Sequence, residues 1–394
     1  MGMTLPEAAW RDHPALARII EALGPGSARI VGGAVRDTLL GIETADVDLA
    51  TVHAPEHVID LLEAARIKAI PTGLQHGTIT AVANDEVYEV TTLRRDVATD
   101  GRHATVAFTD DWQEDAARRD FTINALYADP ATGELFDYFG GIEDLKTGRV
   151  RFIGDPLVRI AEDHLRILRF FRFLARFGDE PDAAGLKACA DRANDLMALS
   201  RERIANELLR LLVAPRAFQV VNLMIEQGIF RPVLPEITDA ARFGALIERE
   251  AAANIAPDPI RALAALLPAD PKVALDVGAR LKLSKKQRQQ LESATLPPDA
   301  EPRALAYRLG VDLAIDRLLL AGSDVSALAD WTPPRLPLSG GDLVARGLQA
   351  GPDVARTLRR VEDRWISESF PDAERVATIA DEEVAQALDA IRKS

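Results

Sequence analysis

The sequence changes character near residue 150, and that change limits the possible folds more than any other feature. Before it, short β-rich runs alternate with turns: Ala28–Val31, Val47–Thr51, Gly77–Ala83, Glu86–Thr92, Thr105–Phe108 and Leu135–Asp137. Helical stretches lie between them, at Pro55–Ala65 and Asp120–Leu126. Beyond residue 155 no run reads as a strand. Helical periodicity takes over in Asp163–Phe177, Arg201–Leu212 and Ala217–Gln227. Breaks bearing proline or glycine punctuate it at Ala214–Pro215, Ala256–Pro259, Leu296–Pro302 and Pro333–Leu338. The expected fold class is α+β, an α/β head followed by an all-α remainder.

At 394 residues the chain exceeds one ordinary core, and roughly two to four domains are expected. A hydrophobic share of 47% and a charged share of 27% fit a soluble globular protein. No apolar run reaches the ~18 residues of a transmembrane helix. Met1 to Arg11 lacks a basic segment followed by an apolar stretch, so no signal peptide is expected. Cys189 is the single cysteine, which excludes an internal disulfide and a Cys-based zinc site. Both features suit a reducing cytoplasm. The net charge of −14 argues against a protein that coats nucleic acid non-specifically. It leaves room for a local basic groove on an acidic body.

The first motif that bears on chemistry is Arg29-Ile30-Val31-Gly32-Gly33-Ala34-Val35-Arg36-Asp37. A short strand meets two glycines and then a helical run, Val35–Leu40. Glycines let the backbone turn tightly and expose N–H groups, and a following helix start favours phosphate. Arg36 could clamp a phosphate oxygen from one turn in. A Gly-Gly pair alone also describes any tight turn.

Asp46-Val47-Asp48 follows. On a strand, residues i and i+2 face the same way, so both carboxylates project together. Such a pair repels unless a cation sits between its members. Mg²⁺ takes hard oxygen ligands and accepts one or two carboxylates plus substrate phosphates, the arrangement of two-metal nucleotidyl transfer. The alternative is a solvated pair at a strand end.

Taken together, Val31–Thr51 closely resembles the signature of the DNA polymerase β-like nucleotidyltransferase superfamily. More narrowly, it resembles the bacterial and eukaryotic class of CCA-adding enzymes and related poly(A) polymerases. The Arg118-Arg119-Asp120-Phe121-Thr122-Ile123-Asn124-Ala125-Leu126 run resembles that family's Arg-Arg-Asp motif. Asp137-Tyr138-Phe139-Gly140-Gly141 resembles its flexible joint between head and neck. Specific resemblance covers about residues 27–215. It implies a helical segment at 1–26, a catalytic head at 27–150, a base-reading neck at 151–215, a body at 216–300 and a tRNA-binding tail at 301–394.

The resemblance also implies roles. Asp46 and Asp48 would hold Mg²⁺. Glu89, on the strand run Tyr88–Thr92, matches the family's third carboxylate, a general base. An exposed strand glutamate is the alternative reading. Gly33, Arg36 and Arg119 would contact the nucleotide. In Glu162-Asp163-His164-Leu165-Arg166-Ile167-Leu168-Arg169-Phe170-Phe171-Arg172-Phe173, polar residues recur at steps of three and four: Asp163, Arg166, Arg169, Arg172 and Arg176. This stripe is flanked by apolar faces. The family's Glu-Asp-x-x-Arg motif acts as an amino-acid template, here Asp163 and Arg166. A carboxylate only accepts and a guanidinium only donates. Cytosine and adenine offer an amino donor beside a ring-nitrogen acceptor, so this pair fits them and mismatches uracil and guanine. Arg169 and Arg172 would hold the triphosphate.

Ser200–Leu208 resembles a further helical motif, with Ser200 as cap, Arg203 and Glu207 at i,i+4, and a bracing role. Leu281–Arg288 is the densest basic patch, either a tRNA contact or a solvated helix start capped by Ser284. Pro337–Leu343 and Gly351-Pro352 resemble the tail of bacterial members. No histidine follows His164, so the phosphohydrolase domain of some relatives is expected to be absent.

The expected activity is addition of C, C and A to tRNA from CTP and ATP. The nearest alternatives are a poly(A) polymerase or an enzyme adding only CC or only A. A catalytically silent RNA-binding protein would have lost the carboxylates. A small-molecule nucleotidyltransferase would need no template helix.

Overall fold

The computed structural model describes residues 3–44, 46–100 and 103–393. The chain divides into two compact units, Met1–Asp239 and Ala240–Ser394, a coarser division than the expected boundaries at 150, 215 and 300.

The first unit opens with α1 (Pro14–Leu23), β1 (Ala28–Val31), α2 (Gly33–Leu39), β2 (Asp48–Thr51) and α3 (Pro55–Ala64). Strands β3 (Lys68–Gly73), β4 (Thr78–Ala83) and β5 (Glu86–Thr92) follow, then a hairpin, β6 (Arg94–Asp100) and β7 (His103–Phe108). Helix α4 (Trp112–Ala117), strands β8 (Leu126–Ala128) and β9 (Leu135–Asp137), and α5 (Gly141–Lys146) complete the head. Seven strands form one mixed sheet in the order β3-β4-β5-β2-β1-β8-β9. Only β2 and β5 pair parallel within it.

Alternation of apolar and polar residues explains how the sheet is covered. Ile30, Leu49, Ile79 and Val90 are buried on one face, where α1 and α3 supply Leu16, Ile19, Val58 and Leu62. On the other face Val31, Ala50, Ala116, Ala125 and Tyr127 form a smaller cluster, joined by Trp112. That second cover stops short of Asp48 and Glu89, which stay exposed.

Each of the six expected strands is present. Asp120–Leu126 is not a helix: only Thr122–Asn124 makes a 3₁₀ turn, and Leu126 begins β8. Its backbone is claimed from outside, since Thr122 N–H donates to the Arg151 carbonyl (3.0 Å) and Ile153 N–H to that of Asp120 (3.2 Å). Every residue from Asp120 to Leu126 is buried, so the run has no solvent face. The glycines at 140 and 141 are required for different reasons, and Gly140 takes a left-handed φ of +77°. A Cβ on Gly141 would lie 2.2 Å from the Thr122 carbonyl oxygen, so close packing rather than freedom requires glycine there. Asp137 fixes the same turn by accepting from the N–H groups of Phe139, Gly141 and Ile142.

The neck follows in the same unit, with β10 (Arg149–Val150), α6 (Pro156–Glu162), α7 (Arg166–Phe177), β11 (Glu180–Pro181), α8 (Ala183–Asp191), α9 (Arg201–Leu212) and α10 (Ala217–Glu226). Phe121 of the head packs among Phe152, Phe170 and Phe173, with ring centroids 4.9 to 6.3 Å away. Head and neck therefore share one aromatic core.

The regular structure of the second unit is helical among its described residues: α11 (Ala241–Ala252), α12 (Pro259–Leu266), α13 (Pro271–Arg280), α14 (Lys285–Ala294), α15 (Pro302–Leu309), α16 (Val311–Ala321), α17 (Gly340–Ala345), α18 (Pro352–Ser367) and α19 (Ala373–Lys393). Buried Arg261 ties α12 to α11 and α16 through Glu250 (2.6 Å) and Asp316 (2.7 Å). Leu343, Trp365, Val376 and Ile379 build a separate core across α17, α18 and α19. The basic run before α14 ends in a capping box of Ser284 and Gln287, and Lys285 and Lys286 are exposed. Among the described residues no helix is long and apolar enough to cross a membrane.

Candidate active site

Strand register brings the acidic residues together. Asp48 begins β2 opposite Val31 of β1, and directly opposite Glu89 of β5. Asp46 lies two residues upstream, before the strand. Buried Val47 anchors the chain between two exposed aspartates. Asp48 is exposed as a residue, yet protein surrounds its carboxyl closely enough to desolvate it in part. Partial desolvation raises its carboxyl above the usual range, the like charges of Glu89 and Asp46 push it further, and Arg119 opposes them. Among the described residues no set of three or more His, Cys, Asp or Glu side chains is arranged to hold a metal unaided. A hard cation held by one or two carboxylates completes its shell with water or substrate oxygens.

The turn after β1 requires glycine at 32 rather than 33. Gly32 has φ +70°, a left-handed backbone that residues with a side chain rarely adopt, and this conformation rather than space requires glycine there. Gly33 starts α2 in ordinary helical geometry with only normal contacts nearby. Arg36 departs from the expected phosphate clamp. Its residue is 7% exposed. Its guanidinium donates to Asp37 (2.8 Å) and to the Asn124 side-chain oxygen (2.5 Å). It also lies 4.1 Å from the Phe177 ring centroid, so it fastens the glycine turn to α7.

Asp115 organises the Arg-Arg-Asp segment. Its side chain is 1% exposed. It accepts from Arg118 (2.7 Å), Arg119 (3.1 Å) and the Tyr127 hydroxyl (2.6 Å). Burial alone would raise its carboxyl, but Arg119, Arg118 and Tyr127 hold it down at about 2. A depressed carboxylate contributes stability above its unfolded value of 3.8 that is lost as pH falls through about 2. The difference corresponds to about 2 kcal/mol. Asp115→Asn is therefore expected to lower stability by that order in urea unfolding at pH 7, with the gap to the wild type closing between pH 4 and pH 2. A gap independent of pH would contradict this assignment.

The neck helix does not begin where the periodicity suggested. Asp163 has extended backbone angles, φ −151° and ψ 106°, and lies in a break between α6 and α7. Its Oδ1 accepts from Leu165 N–H (3.1 Å) and its Oδ2 from Arg203 of α9 (2.7 Å). Arg166, at the start of α7, donates to Glu162 and to the Arg159 carbonyl (2.7 Å). Arg159 in turn donates to Glu162 (2.5 Å) and to the carbonyls of Arg118 and Arg119. The base-reading candidates are thus connected to the segment that carries Arg119.

Further along α7, Arg169 donates to Asp120 (2.7 Å) and Arg172 to Glu207 of α9 (2.5 Å). Asp120 also accepts from Asn124, whose oxygen receives Arg36. One polar chain runs from the glycine turn to the neck arginines. Ser200 makes no side-chain cap, and Arg203 and Glu207 do not pair along α9. They reach across to Asp163 and Arg172 instead. Sequence reasoning gave no role to Asp115, Tyr127 or Arg159. For Asp120 and Asn124 the available signal was their i,i+4 spacing beside two arginines.

Residues 28–151 match the family described as "Poly A polymerase head domain", and residues 181–241 match "Probable RNA and SrmB- binding site of polymerase A". With carboxylates on neighbouring strands beside an arginine-lined neck, these matches define a nucleotidyltransferase. Over 367 residues the chain is 38% identical to the mitochondrial CCA tRNA nucleotidyltransferase 1 of Mus musculus, spanning 86% of this chain and 82% of that protein. It is 32% identical to the CCA-adding enzyme of Leuconostoc mesenteroides, over 91% of this chain and 92% of that one. The chain belongs to the family of CCA-adding enzymes. The crystal structure of the Bacillus stearothermophilus CCA-adding enzyme in complex with CTP matches it with a TM-score of 0.70 at 25% identity, covering 96% of this chain and 100% of that one. The Thermotoga maritima CCA-adding enzyme complexed with tRNA shares the fold, with a TM-score of 0.69 at 19% identity.

Proposed function

We infer that the protein completes the 3′ end of tRNA without a nucleic-acid template, adding C, C and A from CTP and ATP and releasing one pyrophosphate per addition. The observation that carries this reading is the pairing of Asp48 with Glu89 in the same compact unit that holds Asp163 and Arg166. The relatives bearing this activity in their names align over most of both chains.

Asp46 and Asp48 fit a Mg²⁺ site. They are hard oxygen donors. Burial is the main cause that raises the Asp48 carboxyl, the like charges of Glu89 and Asp46 add to it, and a divalent cation offsets that repulsion. When bound, the metal lowers the pKa of the attacking 3′-hydroxyl and offsets the charge of the leaving pyrophosphate. Glu89 takes the hydroxyl proton as the new oxygen–phosphorus bond forms and the bond to pyrophosphate breaks. The Gly33 turn offers backbone N–H groups to phosphate, and Arg119 reaches the ribose and triphosphate. Arg169 and Arg172 share their donors between the triphosphate and Asp120 or Glu207. Arg36 acts by holding the turn against α7. Asp163 accepts from the amino group of C or A while Arg166 donates to the ring nitrogen.

The helices of residues 240–394, including exposed Lys285 and Lys286, serve to hold tRNA through backbone phosphates. A cytoplasmic location belongs to the same reading, supported by the single buried, unpaired Cys189.

The test is incubation with Mg²⁺, tRNA transcripts ending before CCA, and ATP and CTP, followed by sequencing of the 3′ ends. CCA ends are expected. Long A tails, or ends that stop at CC or gain only A where CCA is absent, would overturn the reading.

A further inference from the structure

Helix α9 carries Arg203 and Glu207 one turn apart, with the spacing of a local ion pair. They do not form one. Arg203 donates to Asp163 Oδ2 at 2.7 Å, and Glu207 accepts from Arg172 at 2.5 Å and lies 3.8 Å from Arg169. The charges of α9 are therefore the complement of those along the neck stripe, acid opposite arginine and arginine opposite acid. The two members of the base-reading pair are held by different elements, Asp163 by α9 and Arg166 by Glu162 at the end of α6.

Asp163 needs such a support more than Arg166 does. It lies outside both helices, in a break with extended backbone, so no helical turn fixes its side chain. Leu165 N–H constrains one oxygen and Arg203 the other. A carboxylate has about four acceptor sites, so both contacts leave lone pairs free for an incoming amino group. Both contacts are donors, matched to a carboxylate that only accepts.

We propose that Arg203 is a specificity-determining positioning residue: it aims the Asp163 carboxylate so that the nucleotide pocket accepts an amino-bearing base edge and rejects a carbonyl-bearing one. The proposal rests on the reading of Asp163 as the base-contacting acceptor. Each side chain of the Arg203–Asp163 pair is 29% exposed, so the ion pair adds little to fold stability. Its loss changes which nucleotide is chosen rather than whether the protein folds.

The experiment compares the wild type with Arg203→Met, Arg203→Lys and Asp163→Asn, using the full chain and tRNA transcripts lacking CCA. The readouts are the ratio of kcat/KM for CTP over UTP and the unfolding midpoint. Arg203→Met is expected to reduce the ratio by about tenfold or more, since small misplacements of a reading group cost that much. Its unfolding midpoint stays close to that of the wild type, and Arg203→Lys restores part of the ratio. A uniform fall in both kcat/KM values with the ratio unchanged means Arg203 is only a brace and overturns the proposal. If Asp163→Asn itself keeps the wild-type ratio, the underlying reading of Asp163 fails. If Asp163→Asn loses the ratio and Arg203→Met keeps it, the role of Arg203 alone fails.

Discussion

Replacing Asp48 by alanine is expected to reduce incorporation of both CMP and AMP by about 10³-fold or more, the scale on which loss of a central catalytic group is felt. The same change should leave the fold intact. Asp48 is an exposed residue at the start of β2, and partial burial of its carboxyl together with the charges of Glu89 and Asp46 disfavours its negative charge. Removing that charge relieves repulsion within the sheet, so unfolding free energy should move by about 0.5 kcal/mol at most, the range of surface substitutions. Initial rates with CTP and with ATP, alongside a urea unfolding curve, check both halves. A variant keeping a tenth of wild-type activity would remove Asp48 from the metal site. Loss of activity by general unfolding would leave its role undecided, and Asp48→Asn, which preserves side-chain shape, would then replace it.

The head was legible because its strands are short, alternate cleanly and end in turn residues. Ala28–Val31 and Glu86–Thr92 have the bounds expected of them. The failures have a common cause, which is that side chains and backbone groups found partners far along the chain. Asp120–Leu126 has a composition compatible with helix, but its backbone bonds with residues 151 and 153. Asp163 continues the periodicity of Arg166, Arg169 and Arg172, yet the helix starts after it. Periodicity registers spacing and is blind to a break of three residues in which both flanks stay helical. Arg36 looks like a ligand group because arginine after a glycine turn often is one. Its burial against Phe177, which comes from the neck, could not be seen from its own neighbourhood. Arg203 and Glu207 illustrate the same point, since an i,i+4 pair predicts a local contact unless a third element competes.

If side chains replace a template strand, Asp163 is the acceptor that does so. A site that hydrogen-bonds a particular base edge rejects the wrong one by leaving buried donors and acceptors unmatched, an effect of about 10⁴-fold in favourable cases. Substituting alanine for Asp163 removes the acceptor and leaves Arg166 as a donor, which can still meet the carbonyl oxygens of uracil and guanine. The carboxylates at 46, 48 and 89 and the arginines at 169 and 172 are untouched, so turnover continues at a reduced rate. The decisive measurement is sequencing of tRNA 3′ ends made by Asp163→Ala from an equal mixture of CTP, ATP, UTP and GTP. Substantial U and G are expected at positions where the wild type places C, C and A. Ends from the variant that still read CCA, with UTP and GTP present throughout, would contradict that role of Asp163.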